Sequence, residues 1–479
     1  MLIYLAAMIL LSVIPAEEYP KASVSARYEL ALRTRRVERA WRNCTDKQVK
    51  EQVTGLMKQA VADFFIGRPA MVAATLDKAA RLLEGKESTD ELRLADALAV
   101  AFSHYFLSTQ AVNVGLSVQV FYESVAEIAK QNLVVEISEG GKALKTLQVV
   151  AERQDDGFKL AAASSADRLI DITVKSSKGK LLRKFSVTLS RADDPTAELA
   201  AINKALSERL LHPVDMSTIK FREQLLTGLL DGRRYEIDYQ AVQLLNEMEH
   251  CLSASKGVSE SVFLKMTGDM QLAVPRGSGG GDWPVRVYVP KEPTSVAVVT
   301  LHGAGGSENM FFEGYGDGLL LELCKEKNWL LIAPKVNSPL DDYAYLLDRL
   351  SPLLSGKRIL LLGHSLGAIA SLVAAQKSPE RFSAVAVISG SPIGELKRLK
   401  DIPIFVAVGT EDFSLRGSGM LAKLLAELQA NVVYKTYEAE HLLVVTEALP
   451  DIVEWFSSII RGKSEEVKQL DRTETDNGR

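Results

Sequence analysis

The sequence predicts an α/β protein: a C-terminal, mostly parallel sheet with helices on both faces, preceded by helical and small β-sandwich regions. Three observations predict it. Beyond residue 295, apolar runs such as "VAVVTLHG", "WLLIAP" and "RILLLGHS" alternate with amphipathic stretches, as in strands buried on both faces of a helix-covered sheet. Between 111 and 195, short alternating segments are separated by Gly, Asn, Asp and Lys, the pattern of a small antiparallel sandwich. On either side of that region, apolar residues recur near a 3.6-residue period. A chain of 479 residues is too long for one compact domain.

The first segment, residues 1–16, reads as a signal peptide. Its uncharged run "LIYLAAMILLSVI" is too short to cross a bilayer and has the length of a signal h-region. The basic n-region is missing, since the first basic residue is Lys21. The expectation is export to a periplasm or the medium. No later segment is apolar for long enough to span a membrane.

Residues 19–110 read as a helical region of three or four helices. Leu30, Leu32, Val37 and Trp41 share one period, and Val53, Leu56, Met57 and Val61 the next. Phe64-Phe65 followed by Gly67 and Pro69 marks a break, and Ser88-Thr89-Asp90 a cap. Residues 111–195 form the sandwich, closed by Asp193-Asp194-Pro195, and 196–257 a helical connector broken at His212-Pro213. Residues 259–462 form the parallel-sheet domain. It opens with a hairpin around "RGSGGGD", which lacks the spacing and the Lys-Ser/Thr of a phosphate loop. Helices are expected near 317–327, 341–354, 366–376, 419–429 and 451–460, with a disordered polar tail at 463–479.

Composition narrows the function classes. A net charge of −4 gives no reason to expect a nucleic-acid partner. Cys44, Cys251 and Cys324 are far apart and make neither a zinc pattern nor a disulfide framework, although a Cys44–Cys251 bridge stays open in an oxidising compartment. No metal site and no cofactor is expected.

The chemistry centres on "LLLGHSLGAI", where Ser365 sits between Gly363 and Gly367 at a strand-to-helix turn. A nucleophile elbow needs that placement, and glycines where larger side chains would strike the neighbouring strand and helix. A serine hydroxyl needs a base, and histidine titrates near neutrality. Of six histidines, His441 follows the last apolar strand; His104, His212 and His250 lie upstream, His302 ends a strand, and His364 belongs to the elbow and should point away. Asp412, directly after "IPIFVAVG", can orient His441 and stabilise its imidazolium, with Glu411 as the alternative acid. "TLHGAGGSEN" offers backbone donors for an oxyanion: Ala304 first, Gly305 next, paired with Leu366 after the nucleophile.

His302-Gly303-Ala304-Gly305-Gly306, Gly363-His364-Ser365-Leu366-Gly367, Asp412 and His441 together resemble the α/β-hydrolase superfamily, in particular its small bacterial esterases of the carboxylesterase, feruloyl-esterase and polyhydroxybutyrate-depolymerase type. The resemblance covers residues 261–460. It implies an eight-stranded sheet, a Ser–His–Asp triad and hydrolysis of a small or polymeric ester through an acyl-enzyme, without a cofactor. A peptidase of the same fold, or a hydrolase fold kept for binding, are the alternatives; all three triad members stand in the expected order, which favours an enzyme. The connection 390–401 is short, so any lid there is small. Phe311, Phe312 and Tyr315 either line an acyl pocket or pack under the sheet. The sandwich offers Phe121 and Tyr122 to a glycan or protein partner.

Overall fold

The computed structural model describes residues 20–123, 132–277 and 281–462. The expected signal peptide, the expected disordered tail and the centre of the glycine-rich hairpin loop lie outside the described residues.

Four helices come first: α1 (Ala26–Asn43), α2 (Lys47–Phe65), α3 (Pro69–Leu83) and α4 (Asp90–Ala97). Each start is set locally. The side chains of Ser25, Asp46 and Thr89 accept from orphan backbone N–H groups of the first turn, and Pro69 opens α3, where it loses no hydrogen bond. A buried ionic cluster ties α1 to α3 and α4: Arg33 pairs with Asp77 at 2.6 Å and Arg36 with Asp96 at 2.7 Å.

The helical reading of 19–110 fails beyond Ala97. Residues there form β1 (Leu98–Phe102) and β2 (Phe106–Ser108). All five β1 residues are buried, so the alternation that signals a strand is absent, and the alanines read as more helix. β3 (Val112–Val120), β4 (Val134–Glu139), β5 (Lys142–Gln148), β6 (Arg153–Leu160), β7 (Ala166–Lys175) and β8 (Leu181–Ala192) follow. They make two small sheets, β1-β3-β6 and β2-β8-β7-β4-β5, and Val118, Val135, Ile172 and Val187 share one core. Phe121 and Tyr122 are half-buried. The guanidinium of Arg33 lies 5.5 and 5.8 Å from their ring centres, and the Tyr122 hydroxyl donates to Asp77. They are packing residues rather than a free aromatic platform.

The connector holds α5 (Pro195–Glu208), α6 (Pro213–Leu230) and α7 (Ala241–Ala254), with a second break between α6 and α7 that opens at the turn Asp231-Gly232. α6 seals the edge of the large sheet. Thr218 Oγ1 accepts from Ala273 N–H at 3.0 Å and Arg222 Nε donates to the Gln271 carbonyl at 2.8 Å, satisfying backbone groups that an open edge strand would expose.

The large sheet contains β9 (Gly268–Val274), β10 (Trp283–Val289), β11 (Val296–Leu301), β12 (Leu330–Pro334), β13 (Arg358–His364), β14 (Phe382–Ile388), β15 (Ile404–Gly409) and β16 (Val432–Tyr437). Their order is β9-β10-β12-β11-β13-β14-β15-β16, antiparallel at β9/β10 and β10/β12 and parallel thereafter. The helices between strands are α8 (Leu319–Lys327), α9 (Tyr343–Arg349), α10 (Ser351–Leu354), α11 (Leu366–Lys377) and α12 (Leu415–Glu427), and α13 (Leu443–Ile460) follows the last strand. The last was expected only from 451. Pro450 lies inside it, and burial of Leu443, Val444, Val445, Ala448 and Leu449 ahead of the proline outweighs its cost of about 3 kcal/mol.

Alternate strand residues face two cores. Val299, Leu361, Val387 and Val406 meet α11 and α12 on one face. Val298, Leu360, Ala386 and Phe405 meet α13 on the other, together with Val37, Trp41, Val53 and Met57 of α1 and α2. The N-terminal helices are therefore packed onto the sheet domain. Cys44, Cys251 and Cys324 are free thiols, so the open Cys44–Cys251 pairing is not made. Among the described residues no helix is long and apolar enough to cross a membrane.

Candidate active site

β13 delivers the chain into a turn one residue long before α11 begins. That residue, Ser365, has φ 54° and ψ −115°, a conformation a serine holds only when its surroundings enforce it. The surroundings are visible in the glycines. A Cβ on Gly367 would stand 1.9 Å from the Leu301 carbonyl oxygen, and one on Gly363 would stand 2.1 Å from the Gly367 oxygen. Strand β11 and helix α11 thus leave room for hydrogen alone. Gly367→Ala is expected to lower the apparent Tm by about 10 °C or to leave no folded protein, a result that differential scanning fluorimetry reads directly.

Three of the sequence-expected residues meet at this turn. His441 Nε2 lies 2.9 Å from Ser365 Oγ, and His441 Nδ1 lies 2.9 Å from Asp412 Oδ1. Because a carboxylate only accepts, Nδ1 carries the proton and Nε2 is left as the acceptor facing the serine. Asp412 is held by donors the sequence did not single out: Ser414 N–H and Ser414 Oγ, each at 2.8 Å, and Ser389 Oγ. Burial pushes the Asp412 carboxyl up, but these hydrogen bonds and the neighbouring His441 outweigh it and hold it at about 2. Glu411, the alternative acid, faces outward to Lys58 at 2.8 Å. Phe413 lays its ring against the His441 imidazole, centres 4.1 Å apart. Glu440 accepts from Leu442 N–H and Leu443 N–H at 2.8 Å, capping α13 and fixing the His441 loop.

His364 points away from the serine, as expected, and has structural work to do. Its Nε2 lies 2.9 Å from the His441 carbonyl oxygen and its Nδ1 2.8 Å from the Tyr315 hydroxyl. A carbonyl can only accept, so Nε2 donates and Nδ1 receives the tyrosine proton. Burial holds this imidazole neutral, its pKa lowered to about 3. His302 is also committed: Nε2 accepts from Val336 N–H at 2.9 Å, and Nδ1 donates to the Gly303 carbonyl.

The glycine loop lies beside the elbow. A Cβ on Gly303 would be 3.3 Å from Ser365 Cβ. The N–H groups of Ala304, Gly305 and Leu366 find no acceptor among the described residues, and Leu366 N–H is an orphan donor at the start of α11. Among the described residues no group of His, Cys, Asp and Glu could hold a metal ion.

Above the serine lies a cavity of about 470 Å³. Its floor is Ser365, His441, Leu442 and the loop from Gly303 to Gly306; its roof is α1, α2 and α3. The connection after β14, expected to hold no more than a small lid, carries a single 3-10 turn at Leu396–Leu399. The cover comes instead from the N-terminus. Arg35 pairs with Glu313 at 2.7 Å, Arg39 with Asp317 at 2.6 Å, and Trp41 Nε1 donates to Glu447 at 2.7 Å. Tyr315 borders the cavity, whereas Phe311 and Phe312 are buried in the core beneath.

One latch of the roof is a buried carboxyl. Glu38 of α1 accepts from Gly316 N–H and the Thr446 hydroxyl. Burial raises its pKa from 4.5 to about 8 against those two bonds. As pH rises from 4.5 towards 8 the unfolded chain releases this proton while the folded chain keeps it, so stability falls across that window. Glu440, raised by burial to about 7, adds to the same decline. Glu38→Gln is expected to flatten the fall by removing one of the two contributions, measured as apparent Tm against pH on both sides of neutrality.

The Esterase family model matches residues 345–437, a stretch that includes Ser365 and Asp412 and stops short of His441. No curated protein matches the chain. Among solved structures, S-formylglutathione hydrolase (FrmB) from Staphylococcus aureus aligns at 14% identity and TM-score 0.34, over 39% of this chain and 95% of its own. A thermostable esterase aligns at 14% identity and TM-score 0.37, over 76% of this chain and 99% of its own. A carboxyl esterase from Bacillus coagulans aligns at 12% identity and TM-score 0.34, over 41% and 100%. In the C-terminal region the strand order is that of an α/β-hydrolase fold, and the stretch matched by the Esterase model lies within it.

Proposed function

We propose that the protein hydrolyses a carboxylic ester through a covalent acyl-enzyme. The observation that carries this reading is the unbroken chain Ser365 Oγ, His441, Asp412, with 2.9 Å at each step, at the floor of an apolar cavity. Ser365 Oγ attacks the acyl carbon while His441 Nε2 takes its proton. The Ala304 and Leu366 N–H groups receive the developing oxyanion, each donor contributing roughly 3 kcal/mol. Asp412 stays ionised and stabilises the imidazolium. His441 then returns the proton to the departing alcohol and activates the water that releases the acid. The test is turnover by the purified full-length chain. p-Nitrophenyl acetate and butyrate are expected to be hydrolysed, with EDTA causing no loss, and peptide p-nitroanilides to be left intact. Cleavage of the anilides without cleavage of the esters would replace this reading with a peptidase.

A further inference from the structure

We infer that the cavity beneath α1–α3 is the binding site for an unbranched apolar chain of the ester, roughly six to ten carbons long, and that residues of α1 and α2 set that length. The inference rests on the hydrolase reading above. Four features of the cavity carry it.

Its wall opposite Ser365 is apolar: Leu30 and Ala31 from α1, and Met57, Ala60, Val61 and Phe64 from α2. The two arginines that border it are already neutralised, Arg27 by Glu236 at 2.8 Å and Arg35 by Glu313 at 2.7 Å, so neither is free to recruit a charged substrate. Size sets the length. A cavity of about 470 Å³ holds some fifteen units of roughly 30 Å³, the volume of a water molecule and close to that of a methylene. The ester group and its neighbours occupy several of those. Finally, the roof touches the reacting region itself. Gly305 has φ +77°, and a Cβ there would lie 2.6 Å from Phe64 Cζ, so the Phe64 ring rests on the loop that offers the oxyanion donors. Phe64 is 43% exposed, which places it at the entrance. A preformed apolar site of this kind rewards each buried methylene by roughly threefold to fourfold.

The chain could be presented on the acyl or on the alcohol side, and two substrate series separate these. One runs from p-nitrophenyl acetate to palmitate, the other from ethyl to decyl acetate. For the wild-type protein kcat/KM is expected to rise with length in one series and to peak between hexyl and decyl chains. Val61→Trp and Ala31→Trp, both at half-buried positions, fill the cavity from α2 and α1. Each is expected to lower the ratio of kcat/KM for the eight-carbon ester to that for the two-carbon ester by about tenfold or more, and Met57→Ala to move the peak to longer chains. A flat wild-type profile in both series, or an eight-to-two ratio unmoved in both tryptophan variants, overturns the inference. Absence of turnover on every ester contradicts the hydrolase reading instead.

Discussion

Ser365→Ala is expected to lower kcat for p-nitrophenyl butyrate by about 10⁴-fold or more while the protein stays folded. Among the described residues, Ser365 carries the one hydroxyl bonded to His441 Nε2. His364 is neutral and bonded at both nitrogens, His302 likewise, and Asp412 is spent on His441, Ser389 and Ser414. The residual rate is what binding and the backbone donors alone provide. The substitution removes a single atom whose described partner is His441 Nε2, so the apparent Tm should hold; the backbone strain at φ 54° stays, because alanine carries the same Cβ. Ser365→Ala combined with His441→Ala is expected to be little worse than either alone, because the two act as a unit.

Asp412→Asn is the second large effect, and its cause is proton placement rather than lost packing. Asp412 Oδ1 currently accepts from His441 Nδ1. An asparagine in the same pose can turn its amide toward His441, donate to Nδ1, and so force the ring proton onto Nε2. The imidazole then presents N–H, not a lone pair, to Ser365. Activity is expected to fall by about 10⁴-fold near neutral pH, read as kcat with KM nearly constant. Asp412→Ala leaves the Ser389 and Ser414 donors without their acceptor, and should cost stability as well.

Much of the site was legible because its requirements are steric and sequential. Gly363 and Gly367 are forced by contacts within one strand-turn-helix unit, so a local pattern announces them. Ser365, Asp412 and His441 each follow a strand of one parallel sheet, so chain order placed all three at the same end. Ser414 could have been found as well, since a serine two residues after an aspartate is a familiar side-chain-to-backbone turn. Ser389 left no such trace. Its positive φ of 58° and its bond to Asp412 arise only when β14 and β15 pair.

The roof was not legible for a different reason. Trp41 bonds Glu447 across 406 residues, and Phe64 meets a loop far along the chain; no short-range period encodes such contacts. The periodicity of α1 and α2 reported a helix with one apolar face, and could not say that the face would cover a serine. Phe64-Phe65 registered only as the end of a helix. The β1 strand was missed because full burial erases the alternation that identifies strands.

The most direct measurement of the central claim is covalent. The purified wild-type chain would be treated with a fluorophosphonate, its intact mass determined, and the modified peptide sequenced by mass spectrometry. One adduct per chain is expected, on Ser365, absent from Ser365→Ala and strongly slowed in His441→Ala. Ester turnover with no adduct, or an adduct on any other residue, would contradict the account.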